Sequence, residues 1–300
     1  MRNILCVTLI ALLGGCTSTS VTEKYQDKRN DIINVKDKVI EFETGNVLIG
    51  SVSRLYMSNK CLLIADHKSV DKQIHIFNKN DFSYLTSIGN FGEGPEEITV
   101  MGCLAIDEAH HQLYVSDHAK QKIFIYDMDS VMVDSLYKPQ VKTAMNETLF
   151  PSEYQYINDT LSIAVLIKPT STSTFNQFLG RWNMNTGEMI PMKYTHPDIQ
   201  KKRITFAASE KAGIYVECYT RHDLMTICSL DGELLYNIYG PDWDGGNGNK
   251  LQSFGTVMIG NDKIFVSYCG EDYARDSFPT KILVFDLEGN YLKTLETGYK

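Results

Sequence analysis

GNFGEGPEE, Gly89–Glu97, lies between two stretches of alternating apolar residues, and its reading decides the fold. It packs three glycines and three glutamates around Pro95. Glycine permits positive φ at sharp bends, and proline fixes its own φ. The glycines therefore have a structural task, and the stretch reads as a corner rather than a reactive loop. Upstream, Tyr84–Ile88 alternates as a short strand; downstream, Leu104–Ile106 starts another. The corner takes the chain from the outer edge of one small sheet to the inner edge of the next.

The flanking strands recur. Five segments end in an alternating strand before a polar turn: IHIFNKND, IFIYDMDS, FLGRWNMNTG, MTICSLDG and ILVFDLEG. Their key residues are Phe77, Tyr126, Trp182, Cys228 and Phe285, spaced by 49, 56, 46 and 57 residues. A period near fifty with only short strands is the signature of propeller blades. In the second unit GCLAID, QLYVSD, KIFIYD and MVDSLY read as strands A to D, running from the ring's centre outward. Alternation of period two fits sheets packed face to face. The 17 tyrosines and 13 phenylalanines suit the wedge between blades and are assigned mostly to core. The expected fold class is all-β, a β-propeller of four-stranded blades, with no helix beyond the leader. Five blades are detected, and a sixth is missing or incomplete. KVIEFET, Lys38–Thr44, is a source for one further strand. A ring short of a blade leaves apolar blade surface uncovered.

Residues 86–127 resemble an NHL repeat through Gly89, Gly92, Gly94-Pro95-Glu96, then LAID, LYVSD and IFIYD. They depart from it at Ile98, where such repeats carry Phe, and at Met101, where they carry Pro. Over residues 40–300 the chain is similar to the TolB-like six-bladed β-propeller lipoproteins of Gram-negative gut bacteria. That resemblance implies a fold and a location, and no substrate.

The N-terminus points to the same place. Arg2 precedes an apolar run, Ile4–Leu13, of secretory length and too short to span a bilayer. Leu13-Gly14-Gly15-Cys16 resembles the bacterial lipobox, which implies cleavage before Cys16 and lipidation of its thiol. Several acyl chains would anchor the protein stably. Thr17 is not the aspartate of the inner-membrane retention signal, so the expected address is the outer membrane, on its periplasmic or surface face. The expected organisation is signal peptide 1–15, lipidated N-terminus and flexible tether 16–35, and propeller 36–300.

A formal net charge of −8 argues against nucleic acid, which needs a basic field. Beyond Cys16 the mature chain holds Cys61, Cys103, Cys218, Cys228 and Cys269, an odd number without CxxC spacing. A disulfide framework or a zinc site does not follow from that pattern.

In four-stranded antiparallel blades the D-to-A and B-to-C connections share one end of the ring. That end, the loop face, collects Asp66, His67, Glu93, Glu96, Asp117, His118, Arg221, His222 and Trp243 as the candidate binding set. Asp66-His67 and Asp117-His118 occupy matching positions, as a metal or acid–base pair would. The other blades carry Val165, Cys218 and Tyr268 there, so the ligand ring is incomplete, and aspartate at a strand end is also ordinary turn chemistry. DWDGGNGN, Asp242–Asn249, lacks two ligands of a calcium loop and reads as a glycine-rich connection. Trp243 is either a stacking platform or a plug folded onto the channel. Glu93, Glu96 and Glu97 have no partner in sequence that would tune them for acid–base work.

No nucleophile elbow, metal triad or phosphate loop is present, and no cofactor is implied. The leading expectation is a lipid-anchored, non-enzymatic binding module for a protein, peptide or glycan, held to the membrane by its lipid. The alternative is a lactonase-like or lyase-like enzyme with a divalent metal in the central channel. The inner strands offer few carboxylates for that metal.

Overall fold

The computed structural model describes residues 22–134, 136–199, 203–248, 251–272 and 279–298, with the side chains of 251, 252 and 272 excepted. The lipobox and Cys16 lie outside the described residues. Two short strands, β1 (Glu23–Tyr25) and β2 (Ile32–Asn34), precede five antiparallel four-stranded blades. Blade 1 is β3 (Ser53–Met57), β4 (Cys61–Asp66), β5 (Lys72–Asn78) and β6 (Tyr84–Asn90). Blade 2 is β7 (Met101–Asp107), β8 (Gln112–Asp117), β9 (Lys122–Asp127) and β10 (Gln140–Ala144). Blade 3 is β11 (Phe150–Asn158), β12 (Leu161–Pro169), β13 (Phe175–Trp182) and β14 (Met189–Pro191). Blade 4 is β15 (Ile204–Ser209), β16 (Ile214–Tyr219), β17 (Leu224–Ser229) and β18 (Leu234–Tyr239). Blade 5 is β19 (Leu251–Gly260), β20 (Lys263–Asp272), β21 (Lys281–Asp286) and β22 (Tyr291–Glu296). The protein is a β-propeller.

The repeat read from the sequence falls on one structural position. Phe77, Tyr126, Trp182, Cys228 and Phe285 all lie on the third strand of their blades and are all buried. Each of the last four points into the core shared with the preceding blade. Tyr126 packs with Leu63 and Ile76 of blade 1, and Phe285 with Val216 and Ile227 of blade 4. Burying one such side chain contributes roughly 1.5–3 kcal/mol, which makes these wedges the main glue of the ring. Cys218 and Cys228 belong to different cores, on opposite faces of blade 4, and form no disulfide with each other.

Among the described residues, Phe77 has no blade before it. Phe42 takes that place, edge-on to Phe77 at 6.0 Å and stacked on Phe82 at 4.5 Å. KVIEFET is therefore not a strand: it is an irregular cover over the outer part of blade 1, carried in by the short 3-10 turn Lys36–Lys38. Nearer the axis the cover stops, and Leu55 and Met57 on β3 and Met258 on β19 stay exposed.

Two further expectations are corrected. MVDSLY is not the outer strand of blade 2. Residues Met128–Val133 form a short helix, α1, and β10 supplies the outer strand instead. The cause is local: Asp127 caps the helix by accepting from the Ser130 N–H at 2.7 Å, Asp129 sits in the first turn, and Val131 is buried. Valine and methionine alternation in so short a run cannot separate a strand from one helical turn. The all-β fold class thus holds, and the narrower expectation of no helix beyond the leader fails at this turn.

Residues 22–34 have the composition of a tether, yet they pair. β1 adds to β18 and β2 to β22, both in parallel, so each becomes the fifth strand of its sheet. Tyr25 stacks on Tyr239 at 4.6 Å, and Glu23 accepts from Asn237 at 3.0 Å. The added strands close two outer edges that would otherwise present unpaired backbone.

Candidate functional site

The corner Gly89–Glu97 is pinned from the neighbouring loop. Lys120 Nζ donates to the carbonyls of Gly94 and Glu97, each at 2.6 Å. Glu97 turns back to accept from the Gly94 N–H at 2.8 Å, and Gly89 takes φ +73°, a conformation that favours glycine. Glu96 meets Lys138 at 2.8 Å in solvent, and Glu93 is exposed. Glu97 alone serves the turn, and the three glutamates form no acid–base pair.

Asp66 and Asp117 do the same work on adjacent blades. Asp66 accepts from the N–H of Gly50 at 2.7 Å and of Lys68 at 2.9 Å. Burial pushes its carboxyl up, but these backbone donors outweigh it and hold the group below the usual range. Asp117 accepts from the N–H groups of Thr99, Val100, Ala119 and Lys120. Both carboxylates are spent on backbone.

The histidines that follow them are not. His67 Nδ1 lies 3.2 Å from the Met101 carbonyl, which can only accept, so Nδ1 carries the proton. His118 lies over Gly102, where an added Cβ would come within 2.4 Å of its Nε2. Both rings thus converge on the Met101–Gly102 backbone at the inner edge of blade 2. In each, Nε2 is buried with no hydrogen-bond partner. Burial lowers both pKa values, and Arg54 lowers them further; the Met101 carbonyl opposes this for His67 and Asp117 opposes it for His118.

Arg54, from β3, reaches Glu153 of β11 at 2.7 Å across the mouth of the channel. Glu153 is the carboxylate that the inner strands direct to this mouth, and Arg54 occupies it. Beside this pair lies a depression of about 520 Å³ between blades 1 and 2. Arg54, His67, Lys68, Ser69 and Thr99 supply its polar wall, and Val52, Val70, Phe91, Val100 and Met101 its apolar wall. Among the described residues, no carboxylate lines it.

Arg221, His222 and Trp243 gather elsewhere on the loop face, at blade 4. Trp243 is half-buried against His196, His222 and Tyr239, with ring centroids at 5.7, 6.0 and 5.0 Å. It is folded into the core rather than raised as a platform. His222 is buried, with Nδ1 3.7 Å from Asp244, and burial lowers its pKa. Arg221 is exposed. Gly245, Gly246 and Gly248 all take positive φ, as a tight glycine-rich connection requires. Its two acids face different partners: Asp242 accepts from Tyr268 at 3.2 Å, and Asp244 faces His222.

Under this connection Arg29 enters between blades 4 and 5. It pairs with Asp223 at 2.7 Å with both side chains buried, and lies 5.6–5.8 Å from the rings of Phe254, Tyr268 and Phe285. A Cβ at Gly240 would sit 2.1 Å from the Asp223 carboxylate, so only glycine fits there.

At the opposite end, Asp107, His110 and Asp159 bring three ligand atoms within 4.8 Å of one another. Hydrogen bonds already engage all three. Asp107 accepts from His110 Nδ1 at 2.8 Å and from Tyr114 at 3.2 Å, and Asp159 accepts from Tyr156 at 2.7 Å. The Asp107 hydrogen bond raises the His110 pKa.

The structure therefore unites His67 and His118, commits Asp66 and Asp117 to backbone N–H groups, leaves Glu93 exposed and Glu96 paired with Lys138, and moves Arg221, His222 and Trp243 to a separate cluster. Arg54 was missed in sequence. It stands in SVSRLYM, an inner strand without carboxylates, where a lone arginine facing the axis is the available signal.

A family model described as 6-bladed beta-propeller, DUF5128, matches residues 17–178. Among solved structures, a candidate exported protein from Bacteroides fragilis has a TM-score of 0.53 at 14% identity, covering 92% of this chain and 80% of that one. A member of the DUF4221 family from Bacteroides vulgatus has a TM-score of 0.52 at 10% identity, covering 81% and 80%. A chain of a nidogen–laminin complex gives 0.52 at 10% identity, covering 79% and 76%. At such identities the likeness concerns the fold alone. A search among curated proteins finds no match.

Proposed function

The chain belongs to the DUF5128 family of 6-bladed beta-propellers, and from that premise we propose that it is a lipid-anchored, non-enzymatic binding module of the cell envelope. Cys16 is the lipidated residue, the outer membrane is its address, and the loop face meets a protein, peptide or glycan. The observation that carries the binding reading is the depression of about 520 Å³ beside buried, unpartnered imidazole nitrogens, all on one end of the ring. Unsatisfied buried polar atoms are rare in folded proteins and gain by meeting a ligand. Two features support presentation away from the membrane. β18 runs toward the loop face, and β1 runs parallel to it. β1 therefore begins on the side of the ring opposite the loop face.

Two measurements test this. Cys16→Ala is expected to move the protein from the membrane fraction to the soluble fraction; persistent membrane association refutes the anchor. Thermal unfolding against a panel of glycans and peptides is expected to show a shift with one class. That shift should vanish on substitution within the loop face. A shift that survives loop-face substitutions refutes the assignment of the face.

A further inference from the structure

The mouth of the channel has a chemistry that suits a smaller ligand in addition to a macromolecular one. We propose that the depression between blades 1 and 2 binds a small organic acid, with its carboxylate at Arg54, His67 and Lys68 and its apolar body against Val52, Val70 and Val100. This rests on the loop face being the binding face.

The first support is the sign of the charges. The chain carries a net charge of −8, yet the residues bounding the depression include Arg54 and Lys68 and no acid. The acids nearby are already engaged: Asp66 and Asp117 by backbone N–H groups, and Glu153 by Arg54. Lys68 donates its backbone N–H to Asp66, and its side chain remains available. Arg54 holds Glu153 through Nη1 and retains other N–H donors. A cation would meet Arg54 and Lys68 and be repelled.

The second support is the orphaned nitrogen. With Nδ1–H committed to the Met101 carbonyl, Nε2 of the neutral His67 ring is a bare acceptor. A carboxyl group satisfies it with one shared proton, either as carboxylic acid donating to Nε2 or as carboxylate accepting from the imidazolium. Both descriptions contain the same number of protons, so the complex holds one proton more than neutral imidazole and free carboxylate. The groups facing His67 are the Met101 carbonyl, Asp66 at the end of β4, Arg54 from β3, Lys68 in its own loop and His118 from blade 2. The Met101 carbonyl and Asp66 favour the extra proton, while burial, Arg54 and His118 oppose it until an anion arrives. The third support is size: a cleft of this volume suits a small organic molecule, and its apolar wall suits an acyl or aryl tail.

The test uses the chain carrying Cys16→Ala and three probes of one shape: hexanoate, 1-hexanol and hexylammonium. Calorimetry is run at about pH 6 and about pH 8, on either side of the ordinary imidazole value. The methionine methyl resonances are followed in parallel, because Met101 lines the depression. Hexanoate is expected to bind at least ~10-fold tighter than hexanol at the lower pH, to weaken at the higher pH, and to shift the Met101 methyl. Lys68→Met should weaken hexanoate ~5-fold while leaving hexanol unchanged, and His67→Phe should flatten the pH dependence. Circular dichroism of each variant checks that it is folded. Equal binding of hexanol and hexanoate overturns the acid while leaving an apolar loop-face site in place. Tighter binding of hexylammonium overturns it also. Binding that leaves Met101 unmoved overturns the location. Silence from all three probes overturns the proposal, and the glycan and peptide panel then judges the loop face on its own.

Discussion

Arg29 is the residue whose removal the ring should feel most. It comes from a segment that reads as linker, yet it neutralises Asp223, which is fully buried between blades 4 and 5. Burial, only partly offset by Arg29 and by the N–H of Asp242, already holds the Asp223 carboxyl above its usual range. Arg29→Met keeps most of the side-chain volume beside Phe254 and Phe285 and deletes the charge. The buried carboxylate is then uncompensated, and losing one partner of a buried pair costs about 3–5 kcal/mol. For a domain of this size each kcal/mol lowers Tm by about 2–4 °C, so the expected fall is roughly 6–20 °C. The pH dependence gives a second handle. A carboxyl whose folded pKa is raised binds more protons in the folded chain, so the stability tied to it falls as pH rises through the folded value. Without Arg29 that value moves further up. The loss in Arg29→Met should be largest near pH 7–8 and shrink toward about pH 4–5. Urea denaturation across that range measures both, and Arg29→Met with Asp223→Leu should recover much of the loss. A cost below about 1 kcal/mol, unchanged with pH, would refute the view that Arg29 compensates a buried charge.

Other perturbations probe the loop face and the cover on blade 1. Asp117→Ala strands four backbone N–H groups and should cost about 2–4 kcal/mol in urea denaturation, with Asp117→Asn intermediate. Lys120→Met removes two charge-assisted bonds to the Gly94 and Glu97 carbonyls. Hydrogen exchange at residues 92–99 should speed up, and global stability should drop by about 1–3 kcal/mol. Phe42→Ala uncovers Phe77 and Phe82, and about 1–3 kcal/mol of lost stability is expected, with faster proteolysis ahead of β3.

The blades were legible because their signal is local and repeated. Alternation with period two, broken by polar turns, places a strand without reference to its neighbours, and five aligned positions from Phe77 to Phe285 made the period visible. The corner at Gly89–Glu97 was legible for the same reason, since glycine and proline act on their own φ. One local ambiguity misled: Met128–Val133 holds apolar residues that suit a strand or a single helical turn, and only the cap from Asp127 separates them. The site was legible only in part. Matching positions picked out His67 and His118, but which atoms lack partners depends on Met101, Gly102 and Arg54, which come from other strands. Tertiary structure alone brought Arg54 to Glu153 across 99 residues, and Arg29 to Asp223 across 194. Composition marked residues 22–34 as linker because short polar segments cannot bury a core by themselves. They become strands only where the open edges of β18 and β22 supply backbone partners, and that supply is a property of the assembled ring.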